Sequence, residues 1–155
     1  MSNTPILNTF DPKTTENVFK RLENLNYTSI PQWGKMNAAQ MLAHLNVTYD
    51  LAYGKIKSNP GFFSKLILKL FVKGIVTNEK PYTQNSRTGP DFIITDNRDF
   101  EKEKSIFIDY VKQTEANGAR YFEGRESSSF GKMTAKEWSN QFYKHIDHHF
   151  RQFGV

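Results

Sequence analysis

Two short segments of this chain have almost the same sequence and carry the same signal for the start of a helix. Residues 34–40 read GKMNAAQ, and residues 131–137 read GKMTAKE. In each, a short polar residue (Asn37 or Thr134) precedes a glutamine or glutamate by three positions, which is the capping-box pattern. The similarity has two interpretations, local capping chemistry or an internal pseudo-repeat. Under both, it predicts helices that begin near residues 37 and 134.

Helix signals also dominate the rest of the chain. The spacing of apolar residues, the capping residues and the breaks at proline or glycine predict helices over about 11–24, 37–53, 62–73, 99–117 and 134–153. Residues 76–98 are rich in Pro, Gly, Asn and Thr and predict a long loop, in which 90–95 is a candidate short strand. The length of 155 residues fits one domain over 1–155. The predicted fold class is therefore all-α.

Composition excludes several kinds of function. The chain has no cysteine, which rules out disulfides, thiolate metal sites and a cysteine nucleophile. No HExxH, GxSxG, Walker A or GxGxxG motif occurs, and the Glu-x-x-His pairs of di-iron bundles are also absent. The first residues lack the features of a signal peptide, so we expect a cytoplasmic protein.

The basic residues are most concentrated on the predicted helix at 62–73. The net charge is +5, but elsewhere bases alternate with acids, so nucleic-acid binding is not favoured. Lys65, Lys69 and Lys73 are spaced four apart, which predicts a packed helix with one solvated stripe. The apolar residues expected to cover its other faces are Phe62, Phe63, Leu66, Ile67, Leu70 and Phe71. The alternative is contact with an anionic membrane surface, since the run is too short and too charged to span a bilayer.

Three of the four histidines lie close together near the end of the sequence. Steps of three and four residues place His145 and His149 at the centre of an apolar stripe, whereas His148 is rotated toward solvent. That stripe contains Trp138, Phe142, His145, His149, Gln152 and Phe153. Two imidazoles at positions i and i+4 can point at one metal ion. Gln152, one turn later on the same face, is a candidate contact to the metal ligands or to a substrate.

The fourth histidine, His44, lies on the inward stripe of the second predicted helix. A lone buried histidine is usually a hydrogen-bonded core residue, and that is the alternative interpretation for all three inward histidines. Burying two titratable rings together is costly unless something such as a metal keeps them neutral. We therefore predict that His44, His145 and His149 bind one divalent ion, zinc or nickel, with His148 outside the site.

The pattern as a whole resembles a known family. One histidine on the second helix, and His-x-x-x-His followed by x-x-Gln on the last, resemble the DinB-like (YfiT-like) superfamily of metal-binding four-helix bundles. Residues 33–45 (WGKMNAAQMLAHL) and 130–154 (FGKMTAKEWSNQFYKHIDHHFRQFG) are similar to a subfamily of unknown function. The resemblance implies an up-and-down four-helix bundle with an extra helix and a long loop inserted between bundle helices 2 and 3. It also implies that the three inward histidines occupy the superfamily's metal-ligand positions. The chain departs from the superfamily in the insert at 60–98, which is longer and more basic than the usual connection, and we expect this insert to cover the metal.

The same resemblance implies an activity. Characterised members of the superfamily include thiol-dependent S-transferases and isomerases that use bacillithiol or mycothiol, and some are suggested hydrolases. We therefore predict a homodimeric, metal-dependent enzyme that activates water or a low-molecular-weight thiol toward an unknown small-molecule substrate. Because the chain has no cysteine, any thiol must come as a cosubstrate. The alternatives are a non-catalytic metal-binding module and a protein that binds a membrane or nucleic-acid surface.

Overall fold

Helices account for most of residues 5–155, the part of the chain that this computed structural model describes. In chain order they are α1 (Pro12–Leu22), α2 (Ala38–Ala52), α3 (Phe62–Ile67), α4 (Lys73–Thr77), α5 (Phe100–Phe122) and α6 (Ala135–Gln152). A π-helical segment, Leu68–Val72, joins α3 to α4, and the continuous segment 62–77 is called the insert helix below. The prediction of a mainly helical protein is confirmed. The predicted domain range also included residues 1–4, which lie outside the described residues.

The two predicted capping boxes are both present. Asn37 Oδ1 accepts from the Gln40 backbone N–H at 2.9 Å, and Gln40 Oε1 accepts from the Asn37 backbone N–H at 3.1 Å. Thr134 and Glu137 form the same pair of bonds at 3.2 and 2.9 Å. These bonds satisfy backbone donors that have no partner within the helix. They stabilise the starts of α2 and α6 at the predicted positions.

One apolar core holds α1, α2, α5 and α6 together. Helix α2 packs against α5 and α6, and α1 packs against the same two helices. Aromatic rings fill much of the space, with Tyr49 of α2 stacked on Tyr110 of α5 at 5.1 Å and on Phe142 of α6 at 4.9 Å between centroids. Burial of apolar surface is the main force that orders such a core. The histidine-bearing helices α2 and α6 are therefore fixed relative to one another.

Helix α5 is longer than predicted. Its predicted end was residue 117, because the Asn117-Gly118 pair is a common helix terminator. Gly118 does adopt a left-handed φ of 67°, yet the chain resumes a helical turn that ends at Phe122. Phe122 is fully buried and contacts Phe142 edge to face at 5.4 Å. Tertiary packing of this ring therefore extends the helix beyond its local stop signal, with a kink at the glycine.

The insert helix differs most from its prediction. It extends to Thr77 rather than to about residue 73. Only Leu68, Val72 and Val76 among its apolar residues pack against the core. The side chains predicted to cover its other faces are exposed, including 79% of Phe62. Because the insert helix is attached to the protein along one row of side chains, its other rows have no partner. The prediction that its other faces pack against the protein is therefore wrong.

The long loop after the insert helix is irregular, as predicted, but the predicted strand at 90–95 is wrong. Pro90–Phe92 form a single 3-10 turn instead, consistent with the fixed φ of proline at its first position. The two β-strands in residues 5–155 lie elsewhere, at β1 (Glu126–Ser127) and β2 (Gly131–Lys132). They pair antiparallel, with Glu126 opposite Lys132 and Ser127 opposite Gly131. This hairpin leads directly into the capping box of α6.

Candidate metal centre

The structure brings His44, His145 and His149 together. One nitrogen from each ring lies within 4.8 Å of the nitrogens from the other two. The ring centroid of His44 is 4.7 Å from that of His145 and 4.6 Å from that of His149. His44 and His149 are buried, and His145 is partly buried. Helical periodicity in the sequence thus identified the inward-facing histidines of α2 and α6 correctly.

Two of the three rings have their Nδ1 atoms bound to oxygen atoms that only accept hydrogen bonds. His44 Nδ1 donates to the backbone carbonyl of Phe92 at 2.7 Å. His149 Nδ1 donates to Gln152 Oε1 at 2.7 Å. The Gln152 amide has a fixed orientation because its Nε2 donates to the carbonyl of Trp33, also at 2.7 Å. A neutral imidazole with its proton on Nδ1 has a lone pair on Nε2, which is the arrangement seen in metal-binding histidines.

The third ring, His145, has a partner that can act in either direction. Its Nδ1 lies 2.7 Å from the hydroxyl oxygen of Thr48, which can donate or accept. Its Nε2 lies 2.8 Å from Nε2 of His44. Since His44 carries its proton on Nδ1, the hydrogen bond between these two Nε2 atoms must be donated by His145. A cation at this point would instead receive a lone pair from both rings.

Burial keeps all three rings in the neutral form. Desolvation lowers the pKa of His44 below 6.5. The hydrogen bond to the Phe92 carbonyl raises that pKa, but by less than desolvation lowers it. Desolvation, followed by the nearby His44 ring, lowers the pKa of His145 well below its usual value. The same two causes lower the pKa of His149 to about 3. Neutral imidazole is the form that binds metal ions, so little proton competition is expected near pH 7.

The donor set fits a divalent transition-metal ion. Nitrogens that share one ion at about 2.0–2.1 Å each lie roughly 3–3.5 Å apart. Here the Nε2 atoms of His44 and His145 are 2.8 Å apart, and all three ligand nitrogens lie within 4.8 Å of one another. Imidazole ligands suit zinc, nickel and copper rather than magnesium or calcium. Among residues 5–155, the cluster contains no carboxylate and no fourth histidine. Structural zinc sites usually have four protein ligands, so a three-histidine set leaves positions open for small molecules.

His148 lies beside the cluster rather than in it. It was predicted to point toward solvent, but its side chain is only partly exposed. Its ring centroid is 5.8 Å from that of Trp33, 5.8 Å from that of Tyr82 and 4.9 Å from that of His149. The helical wheel placed this ring off the central stripe correctly. It could not reveal that the loop after the insert helix covers that side of α6.

The three histidines open onto a cleft of about 1020 Å³. The insert helix forms one wall, and the loop that contains Tyr82 and Phe92 forms another. Its aromatic lining consists of Trp33, Tyr82, Phe92, Phe130 and Trp138. Few charged side chains reach it, among them Lys35 and Arg87. Serine, threonine and asparagine side chains from several segments also line it, among them Ser64, Asn85 and Ser128. A cleft of this volume that combines aromatic and polar groups is typical of a site for a small organic molecule.

Sequence reasoning missed the contacts that hold the insert over the site. Lys144 is fully buried in α6, and its Nζ donates to the Ile75 carbonyl at 2.6 Å and to Asn78 Oδ1 at 2.8 Å. Asn140, one turn earlier, donates to the Thr77 carbonyl at 2.8 Å. These bonds satisfy carbonyls at the end of α4 that lack a helical partner. The sequence offers only a lysine and an asparagine, four residues apart on the polar side of α6, and that pattern does not indicate burial.

Comparison with known proteins identifies a family. The model of a family described as "Protein of unknown function (DUF1569)" matches residues 8–154, which is nearly the whole chain. No curated protein and no solved structure gives a match. The match includes all four histidines, the two capping boxes and the insert helix.

Proposed function

The chain belongs to the DUF1569 family of proteins of unknown function, and we propose that it binds one divalent metal ion through His44, His145 and His149. Zinc and nickel are the ions that we favour for three imidazole ligands. We propose further that the bound ion serves catalysis on a small organic substrate. The reaction would be of the S-transferase or hydrolase type, with a low-molecular-weight thiol or water as the attacking group.

The observation that supports this proposal is the way in which the Nδ1 atoms are occupied. Each of the three rings has an oxygen partner at 2.7 Å on Nδ1, and the three partners come from three different parts of the chain. A hydrogen-bonded core histidine also has such a partner, but three core rings have no need to bring one nitrogen each within 4.8 Å of the others. Partners on Nδ1 hold each ring in one orientation and increase the basicity of its Nε2. We infer that the three Nε2 atoms would then be free to share one ligand.

A bound divalent ion would supply Lewis acidity, which lowers the pKa of a coordinated water or thiol toward neutrality. Side chains around the site would orient the ligands, exchange protons and bind the substrate. Phe92 holds His44 through its carbonyl, and its ring lies 5.9 Å from that of His145, where it would cover one side of a bound ion. The imidazole of His148, which lines the cleft, would exchange a proton with a molecule bound there. Trp33 and Tyr82 would bind the apolar part of the substrate.

Two features of the superfamily remain part of the proposal. We propose that α1, α2, α5 and α6 form the up-and-down four-helix bundle of the DinB-like superfamily, with the insert helix and its loop added between α2 and α5. We also propose a homodimer, located in the cytoplasm. Light scattering of the full chain at micromolar concentration tests the dimer, because a monomeric mass would contradict it.

Elemental analysis of protein purified without a histidine tag tests the metal site. We expect one equivalent of a transition metal in the wild type, and loss of that equivalent in His145→Ala and in His149→Ala. His148→Ala is the matched control, because this ring is on the same helix but outside the cluster, and it should keep the metal. If the triple variant of His44, His145 and His149 still binds metal with normal stoichiometry, the site does not exist.

The catalytic part of the proposal has a separate test. The metal-loaded protein should convert an electrophilic aryl halide in the presence of an added thiol, or hydrolyse an activated ester. Either activity should be lost in His149→Ala. A non-catalytic metal-binding module is the second candidate, favoured by the small number of charged groups in the cleft. Stoichiometric metal without turnover in both assays would favour that candidate.

A further inference from the structure

The insert helix exposes most of its apolar side chains. Two rows with i,i+4 spacing are exposed, and we call them the apolar ridge: Phe62, Leu66 and Leu70 in one row, and Phe63, Ile67, Phe71 and Ile75 in the other. Their exposed fractions range from 44% at Leu66 to 79% at Phe62. Side chains at i and i+4 lie on the same face of a helix, so the ridge is contiguous. Contiguous apolar patches of this kind mark interaction surfaces.

The ridge continues to the rim of the cleft. Ile67 and Ile75 belong to the ridge and also line the cleft. The opposite side of the same helix carries Leu68, Val72 and Val76, which pack against the core. The insert helix therefore lies between the cleft and the outside. A partner on the ridge would sit next to the cleft rim.

The electrostatic character of this region is uniformly positive. Residues 51–78 contain five lysines and no aspartate or glutamate. Lys65 and Lys69 form a third i,i+4 row beside the ridge, and neither has an ion-pair partner among residues 5–155. Lys73, the next in that row, is held by Glu137 at 3.1 Å. Two free cationic side chains thus flank exposed phenylalanines.

An anionic lipid surface matches both the apolar ridge and the positive charge of the insert helix. A second copy of the chain or a nucleic acid matches only one of them. A second copy docked through the same face about a two-fold axis would place these lysines near their own equivalents. Nucleic acid would bind the lysines through its phosphates but would leave the ridge uncovered. At an anionic bilayer, apolar side chains enter the headgroup boundary while lysines contact lipid phosphates. No helix within residues 5–155 is long and apolar enough to cross a membrane, so the contact would be at the surface.

We propose that the apolar ridge docks on the surface of an anionic phospholipid membrane. Phe62 and Phe63, whose rings lie 5.6 Å apart, insert at the headgroup boundary. Lys65 and Lys69 contact the lipid phosphates. This inference depends on the exposed side chains and the charge of the insert helix, and it does not depend on metal binding or on catalysis.

Co-sedimentation of the full chain with vesicles tests the proposal. The probes are vesicles of equimolar phosphatidylcholine and phosphatidylserine, and vesicles of phosphatidylcholine alone. We expect strong binding only to the first, weakened by salt because exposed charges are screened. The double variant Phe62→Ser/Phe63→Ser should bind about tenfold more weakly or worse. Lys65→Gln/Lys69→Gln should bind roughly 25-fold more weakly, at about fivefold per lysine.

Two matched double variants serve as controls. Tyr27 and Ile30 are exposed by 76% and 82% but lie in another loop, so Tyr27→Ser/Ile30→Ser should bind vesicles like the wild type. Lys13→Gln/Lys20→Gln removes the same charge from exposed positions of α1, and should also bind normally. Circular dichroism checks that each variant is folded.

Several results would overturn the proposal. One is a wild type that does not bind the phosphatidylserine vesicles. Another is equal weakening by the ridge variants and by their controls. A third is conversion of a dimer into a monomer by Phe62→Ser/Phe63→Ser with vesicle binding unchanged, which would show that a second copy covers the ridge. Binding of duplex DNA that depends on Lys65 and Lys69 but not on the phenylalanines would assign the surface to nucleic acid instead.

Discussion

His44 and His145 face each other through their Nε2 atoms, 2.8 Å apart. The Phe92 carbonyl requires the His44 proton to be on Nδ1, so the proton between the rings belongs to His145. The Thr48 hydroxyl must then donate to His145 Nδ1. The protein without metal therefore has His145 in the opposite tautomer from the one that a metal ligand at Nε2 needs. Thr48 can support both tautomers because its hydroxyl can reverse direction.

The first prediction follows from this pair. In metal-free protein, nitrogen NMR of the imidazoles should show the proton of His145 on Nε2, and those of His44 and His149 on Nδ1. Addition of zinc should move the His145 proton to Nδ1 and leave the other two tautomers unchanged. Thr48→Val should weaken zinc binding by about 10- to 100-fold, whereas Thr48→Ser should bind normally. A His145 that already carries its proton on Nδ1 without metal would contradict this assignment.

The second prediction compares the two glycines of the GKM segments. Both have left-handed backbones, with φ of 81° at Gly34 and 71° at Gly131. A Cβ at Gly34 would also lie 2.5 Å from Gln152 Nε2, whose amide is bound by Trp33 and supports His149. At Gly131 the nearest atom is the flexible Lys69 Cε at 3.9 Å. The same substitution thus has an additional effect at only one of the two positions.

We expect Gly34→Ala and Gly131→Ala each to lose about 1–2 kcal/mol of unfolding free energy from backbone strain. Only Gly34→Ala should also weaken zinc binding, by about tenfold or more, because Gln152 has to move. Urea denaturation of metal-free protein and competition titration with a zinc-binding dye measure the two effects separately. Equal zinc affinities in the two variants would show that Gln152 has no role in holding His149.

These glycines also show what the sequence could and could not predict. Capping residues and helical periodicity are local properties, and they identified α2, α6 and the three inward histidines without structural information. The supporting contacts are different, because the Phe92 carbonyl is a backbone atom in an irregular loop and no side-chain pattern encodes its position. The exposure of Phe62 was missed for a related reason, since an apolar side chain normally indicates packing. Sequence predicts the faces of helices well, but it does not reveal whether a face has a partner.

The third prediction concerns the stability of the metal-free protein at acid pH. The pKa of His149 is lowered to about 3 and that of His145 lies well below 6.5, so the unfolded chain binds protons first as pH falls. Stability of the metal-free protein should therefore be highest above pH 6.5 and should decrease toward pH 3. Each histidine that is neutral when folded and protonated when unfolded contributes a slope of about 1.4 kcal/mol per pH unit.

Urea denaturation in the presence of a chelator, between pH 6 and pH 5, measures that slope while most carboxylates are still ionised. His149→Gln removes one of the titrating groups and should reduce the slope by about 1.4 kcal/mol per pH unit. The control is a surface change far from the cluster, Lys13→Gln, which should leave the slope unchanged. An equal slope in His149→Gln and the wild type would mean that His149 is not held neutral in the folded protein.

The fourth prediction concerns Lys144, which fastens the insert to α6. Its ammonium group donates to the Ile75 carbonyl and to Asn78 Oδ1, and lies 4.6 Å from the centre of the Tyr82 ring. Burial lowers its pKa to about 8, which still leaves the ammonium group mostly charged at neutral pH. Lys144→Met keeps most of the volume but leaves the acceptors unpaired. We expect a loss of about 1–3 kcal/mol for each acceptor that stays buried.

The loss of stability should affect the insert before the rest of the protein, because Lys144 holds the end of α4 and the beginning of the loop that carries Phe92. Hydrogen exchange should accelerate over residues 73–92 in Lys144→Met, with α2 and α5 unchanged. Zinc affinity should fall as well, since release of this loop removes the Phe92 carbonyl from His44 Nδ1. Asn140→Ala, which removes the neighbouring bond to the Thr77 carbonyl, should act in the same direction. Lys136→Met is the control, because its ion pair with Glu79 is exposed and contributes little. If Lys144→Met loses stability throughout the protein but keeps normal zinc affinity, the insert does not support the metal centre.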